Sequence, residues 1–137
     1  MPVTKEFTIH MEDRPGAMGK LFRALADRGV NIVAFACVPE EKGKSIGRFV
    51  TDKPIATKTV FESEHTPYTE TEVVQIKLPH RPGVLASAAE KLAENNININ
   101  YAYGGVEAGA IAPFLIFGVS EVKRAAKILE EVAFVAA

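Results

Sequence analysis

The sequence predicts an α+β protein of two small units, each an antiparallel four-stranded sheet with two helices on one face. Three observations predict it. An Arg-Pro-Gly turn occurs twice, each time between a strand-like alternation and a helical apolar stripe. The residues around the two turns correspond at one constant offset. Strand and helix periodicities then follow each turn in the same order.

The correspondence can be read directly. Asp13-Arg14-Pro15-Gly16-Ala17-Met18 matches His80-Arg81-Pro82-Gly83-Val84-Leu85, an offset of 67 residues from Asp13 to His80. The same offset carries Leu25-Ala26 onto Leu92-Ala93 and Val30-Asn31-Ile32 onto Ile97-Asn98-Ile99. A shared turn alone is weak, but with the helix pattern and the asparagine it indicates duplication. The predicted domains are residues 1–71 and 72–137.

In the first unit, Glu6 to Met11 alternates apolar and polar residues at strand period. Arg-Pro-Gly breaks it, and Pro15 suits the first position of a helix. Met18, Leu21, Phe22 and Leu25 then form one helical face, closed by Gly29. Ile32 to Val38 reads as a strand, Glu41-Lys42-Gly43-Lys44 as a turn, and Ile46 to Thr51 as the hairpin partner. Pro54 opens a weaker helix over Ile55 to Glu62.

The second unit follows suit. A strand from Tyr68 continues through Val73, Val74, Ile76 and Leu78. Leu85, Ala88, Ala89 and Leu92 mark the next helix, ended by Asn95-Asn96 in place of glycine. Ile97 to Tyr103 and Ile111 to Val119 are expected to form a hairpin around Gly104-Gly105. Ser120 is a suitable N-cap for a last helix presenting Val122, Ala125, Ala126 and Leu129. A short closing strand is expected near Ala133 to Ala137. The βαββαβ order corresponds to a ferredoxin-like sheet. Its second strand lies at an edge, and Ile32 to Val38 is almost wholly apolar. Edges of that kind are normally guarded, so a partner strand is expected, from the other unit or a second chain. Phe114-Leu115-Ile116-Phe117 is apolar on both faces and is expected to be covered on both.

Composition narrows the function classes. Sixteen basic and 17 acidic residues give a net charge of −1, which offers no footprint for nucleic acid or an anionic membrane. The N-terminus lacks the apolar core of a signal peptide, and the cytoplasm is the expected compartment. Cys37 stands alone in an apolar run, so an inert, buried thiol is expected. His10, His65 and His80 show no metal-ligand spacing. No nucleophile–base pair and no cofactor fingerprint occurs, so neither an enzyme nor a bound cofactor is expected. RNA binding lacks surface aromatics among basic residues, and a metal-chaperone role lacks Cys-x-x-Cys.

The turns carry the chemistry that remains. Gly16, Ala17 and Met18 are expected to offer main-chain N–H groups at the positive end of a helix, where a carboxylate binds without a basic side chain. Gly16 lets a ligand approach the backbone. Asn31 has amide donors and an acceptor, and Asp13 offers a charged acceptor for an ammonium group. An amino acid needs that set. The structural reading of the same residues makes Asp13 a cap or turn former, leaves Arg14 and Arg81 in solvent, and makes Asn31 and Asn98 loop terminators. Duplication at one offset favours the ligand reading, and both remain open.

The strand, (Asp/His)-Arg-Pro-Gly-(Ala/Val)-(Met/Leu), helix, (Val/Ile)-Asn-Ile pattern resembles the ACT domain family, small amino-acid-binding regulatory modules. The resemblance covers essentially the whole chain, twice, and is nearest to free-standing tandem proteins of this kind. It implies a site at the interface of two ACT units, with Asp13, Arg14, Gly16, Ala17, Met18 and Asn31 in one copy and His80, Gly83, Val84, Leu85 and Asn98 in the other. It also implies a free L-amino acid ligand, while the homodimer that is expected rests on the apolar edge at Ile32 to Val38 and the two-faced Phe114 to Phe117 strand. The alternative it carries is a regulatory subunit whose main partner is a metabolic enzyme of the acetolactate synthase kind. Serine-binding members carry Asn at the positions of Asp13 and His80 and His at those of Met11 and Leu78. These departures argue against serine and set the two turns apart, with unit one expected to hold the stronger site.

Overall fold

The structure, a computed structural model, describes residues 2–105 and 114–136. Its elements are β1 (Val3–Glu12), α1 (Ala17–Asp27), β2 (Ile32–Pro39), β3 (Lys44–Thr51), α2 (Pro54–Ser63), β4 (Tyr68–Lys77), α3 (Val84–Glu94), β5 (Ile99–Gly105), β6 (Phe114–Val119) and α4 (Val122–Ala136). The chain divides into two compact units: Lys5–Thr71, and Glu72–Ala137 together with Met1–Thr4.

In the Lys5–Thr71 unit the strands neighbour one another in the order β2-β3-β1-β4. Phe7 lies opposite Phe49 on antiparallel β1 and β3, and Phe35 of β2 lies opposite Phe49 from the other side. Strand alternation puts Phe7, Ile9 and Phe49 on one face. Leu21 and Leu25 of α1 and Val60 and Phe61 of α2 join them there in one buried cluster, so both helices cover the same face. Phe7 meets Phe61 and Tyr68 edge-on at 5.6 and 5.9 Å, an arrangement that suits the ring quadrupoles. Gly29, at φ +70°, closes α1 as expected: its N–H donates to the Ala26 carbonyl at 2.9 Å, and that of Val30 to Leu25 at 3.1 Å.

In the other unit the order is β1-β4-β6-β5. Val74 faces Phe117 and Ile76 faces Leu115. These side chains pack with Leu92 of α3 and with Ala126 and Leu129 of α4. The expected closing strand near Ala133 does not form. Val132 extends the buried stripe of Ala125, Ala126 and Leu129, so burial favours helix through Ala136; Ala137 lies outside the described residues. The start of β1 takes the vacant place. The Gln75 N–H donates to the Pro2 carbonyl at 2.8 Å, and Val3 packs on this core.

Two further expectations are corrected. Ser120 does not cap α4; its hydroxyl accepts from the Asn98 N–H at 3.0 Å. Gly104 and Gly105 are not a turn but the end of β5, opposite Leu115 and Phe114. The expected strand start at Ile111 lies outside the described residues. Finally, β2 pairs with β3, and no second strand lies along its other edge among the described residues. Val33, Phe35 and Val38 are 44%, 55% and 51% exposed on it. Ile116 is fully buried although its register, opposite Gln75, puts it on the face away from the helices.

Candidate functional site

The two Arg-Pro-Gly segments adopt the same turn. The Ala17 N–H donates to the Arg14 carbonyl at 3.3 Å, with Gly16 at φ 90°, ψ −18°. The Val84 N–H donates to Arg81 at 3.3 Å, with Gly83 at φ 93°, ψ −17°. These are type II turns, with proline at the second position and glycine at the third. Pro15 therefore precedes the helix rather than opening it, because a left-handed residue must stand between them. The Ala17 N–H, expected to be open, is spent on the turn. The first helical bonds run from Lys20 to Gly16 at 3.0 Å and from Ser87 to Gly83 at 2.9 Å. The N–H groups of Met18 and Gly19, and of Leu85 and Ala86, have no acceptor among the described residues.

The side chains at the first turn divide in two. Asp13 and Arg14 are exposed. The Asp13 N–H donates to the Gly43 carbonyl at 2.8 Å, while its carboxylate has no partner among the described residues. Asp13 is not a cap, since neither α1 nor α3 has a side-chain cap bond. Met18 turns inward, and the Cys37 thiol donates to its sulfur at 3.4 Å. Met18 thus presents its main chain alone. Desolvation pushes the Cys37 thiol up, away from the reactive thiolate.

Asn31 does not share this end of the unit. Glu12, just before the turn, lies opposite Lys44 at the start of β3. Asn31 lies beside Asp52, just past the other end of β3: its N–H and Nδ2 donate to the Asp52 carboxylate at 2.9 and 3.1 Å, and its carbonyl accepts from the Asp52 N–H at 3.1 Å. At roughly 3.4 Å per residue the two ends are about 25 Å apart. Asn98 repeats the arrangement. Its N–H donates to the Ser120 hydroxyl, its carbonyl accepts from the Ser120 N–H at 3.1 Å, and its Nδ2 donates to Asn100 at 2.8 Å. Each asparagine therefore closes its hairpin, and neither reaches the turn of its own unit.

Asp52 and Ser120 were not legible as partners of these asparagines. They stand 68 residues apart, one more than the constant offset, so a gap-free comparison passes over them. The two donors from Asn31 hold the Asp52 carboxyl below the usual carboxylate range, chiefly through the main-chain N–H. A carboxyl lowered in the fold adds stability above its unfolded value, lost as pH falls through the lowered value. Asp52→Ala is therefore expected to melt below the parent at neutral pH. The gap should narrow under acid, below the ordinary Asp value of about 3.9. Parallel melting curves across that range would show that Asp52 contributes nothing through its charge.

The second turn adjoins the larger cavities. One of 510 Å³ is lined by Leu78, Pro79, His80, Arg81, Pro82, Gly83, Leu85 and Leu115. Another of 470 Å³, on the α3–α4 side, shares Arg81, Pro82 and Gly83 with it. Beside the first turn, a cavity of 110 Å³ touches Ala17 but not Asp13 or Gly16. Among the described residues, no three of His, Cys, Asp or Glu gather to hold a metal, and no helix is long and apolar enough to cross a membrane.

Comparison with known proteins adds a family match over part of the chain and a fold. Residues 6–59 match the ACT domain family. No curated protein matches the chain. Among solved structures, protein BT0572 from Bacteroides thetaiotaomicron superposes with a TM-score of 0.85 at 23% identity, over 95% of this chain and 88% of that one. The ligand-free regulatory subunit of aspartate kinase from Thermus thermophilus gives 0.68 at 19%, over 97% and 93%. That of Thermus flavus gives 0.70 at 17%, over 99% and 93%. At these identities the likeness establishes a shared fold.

Proposed function

We propose that this chain is a non-catalytic regulatory protein, a tandem of two ferredoxin-like ACT units, that binds a small L-amino acid at an Arg-Pro-Gly turn. The observation that carries the reading is the first turn itself. The N–H groups of Met18 and Gly19, open among the described residues, follow a glycine, and the exposed Asp13 carboxylate, which has no partner among the described residues, precedes the same turn. These are donors for a carboxylate and an acceptor for an ammonium in one exposed place. The match of residues 6–59 to the ACT family supports it.

Asn31 joins such a site only from another copy, and strand direction gives a route. Two β2 strands paired antiparallel across a two-fold axis set the start of one beside the end of the other. The end of β2 lies at the Gly16 end of its unit, since Pro39 pairs with Ser45 and Met11 pairs with the same residue. A homodimer joined along β2 therefore carries Asn31 of one copy toward the turn of the other.

A calorimetric panel of the common L-amino acids tests the reading. A ligand at a hundred times its Kd should stabilise the fold by about 2.7 kcal/mol. Asp13→Asn should lower affinity, and Asn31→Ala should cost roughly 1–3 kcal/mol of binding. A flat panel sinks the ligand reading. It would favour the second one, a regulatory subunit acting mainly by contact with a metabolic enzyme, which the fold shared with aspartate kinase regulatory subunits supports. Co-purification of such an enzyme from the native host is its test.

A further inference from the structure

We infer that the second turn is a separate ligand site, selective for aliphatic carboxylates that lack an ammonium group. The inference rests on the reading of the turns as ligand sites and goes on to name the ligand class of this one. The cavity here measures 510 Å³, within the usual range for small-molecule sites. Its apolar wall is made by Leu78, Leu85 and Leu115 with two prolines. Leu85 is 56% exposed in the unliganded chain, a large side chain held in water beside a cavity it can close over a hydrocarbon tail.

The polar side of the cavity selects against an ammonium. Where the first turn has Asp13-Arg14, the second has His80-Arg81, so the arginine is common to both and the carboxylate alone is replaced, by an imidazole. Among the described residues the lining includes His80 and Arg81, both exposed, and no Asp or Glu. Arg81 suits a carboxylate as a charged donor and opposes an ammonium by its charge, while the His80 imidazole adds a dipolar donor. Neither supplies the carboxylate that an ammonium would need. A 2-oxo acid keeps the carboxylate and the tail and replaces the ammonium with a carbonyl oxygen, which accepts from either group.

L-Leucine and 4-methyl-2-oxopentanoate share one carbon skeleton and isolate that difference. Titration of the full chain, followed by amide chemical shifts, shows which turn each occupies. The oxo acid is expected to shift Gly83, Val84 and Leu85 and to bind there at least tenfold more tightly than leucine. Leu85→Glu, a change at an exposed position, should weaken the oxo acid at least tenfold without lowering the melting temperature of the free protein. His80→Asp should reverse the preference between the two ligands. Leucine binding at Gly83 as tightly as the oxo acid overturns the inference, as does oxo-acid binding unmoved by both substitutions. If amino acids shift Gly16 to Lys20 while the oxo acid shifts nothing, this inference alone falls. If no ligand of either class shifts either turn, the reading of the turns falls with it.

Discussion

Gly104→Ala destabilises the Glu72–Ala137 unit by about 3 kcal/mol or more, while Gly105→Ala beside it changes stability by less than about 0.5 kcal/mol. The two glycines end the same strand and differ in what surrounds them. A Cβ on Gly104 would stand 2.3 Å from the Phe114 carbonyl oxygen and 3.1 Å from the Leu115 Cα. Both obstacles are main chain, so relief requires β5 to part from β6 where Gly104 pairs with Leu115. Leu115 packs against the core from that position, and the displacement is felt beyond the strand end. A Cβ on Gly105 meets nothing within 4 Å. Gly16→Ala falls between them: it also meets nothing, but its φ of +90° costs an L-residue roughly 1–2 kcal/mol. Urea unfolding of the three variants measures the order. Equal midpoints for Gly104→Ala and Gly105→Ala would show that the close approach at Phe114 relaxes freely.

The same pair of glycines shows where sequence reading stops. Gly-Gly between two apolar runs signals a hairpin turn, yet here it is strand, because the need for glycine arises from a close approach across the ladder. Local periodicity placed the helix face of α1, most of the strands and the αL residues that end both helices, since those depend on near neighbours. On α3 it chose Leu85, which is 56% exposed, where Val84 is buried. Burial of the fourth strand of the Glu72–Ala137 unit depends on Val3, some seventy residues from Gln75 in the chain, and no local pattern announces it. The candidate site divides in the same way. The turn, its glycine and Asp13 could be read from spacing. The placement of Asn31 about 25 Å from them follows from hairpin register, which fixes which end of a strand a loop occupies.

Placing lysine at two edge positions, Val33→Lys with Val38→Lys, is expected to convert the proposed β2 homodimer into a monomer, raising its dissociation constant by about a hundredfold or more. The wild-type edge is unguarded: Val33 and Val38 are 44% and 51% exposed, and β2 has no strand beyond it among the described residues. An apolar edge of eight residues is a template for a second strand. A two-fold axis near Phe35 makes the pairing self-complementary, with no acidic or basic side chain between Ile32 and Pro39 to oppose it. The lysines introduce like charges on both copies near one axis. Such a juxtaposition costs several kcal/mol, and each 1.4 kcal/mol or so is tenfold in affinity. Both positions are exposed within the single chain, so the unfolding midpoint of the separated variant should stay within about 0.5 kcal/mol of expectation for surface changes. Light scattering at micromolar concentration reads the result. A wild-type chain that is monomeric there removes the β2 dimer, and with it the route that brings Asn31 to a turn. A variant that stays dimeric moves the interface elsewhere. If the variant is monomeric and amino-acid affinity falls in parallel, the ligand site is completed by the second copy, and binding and assembly are linked in both directions.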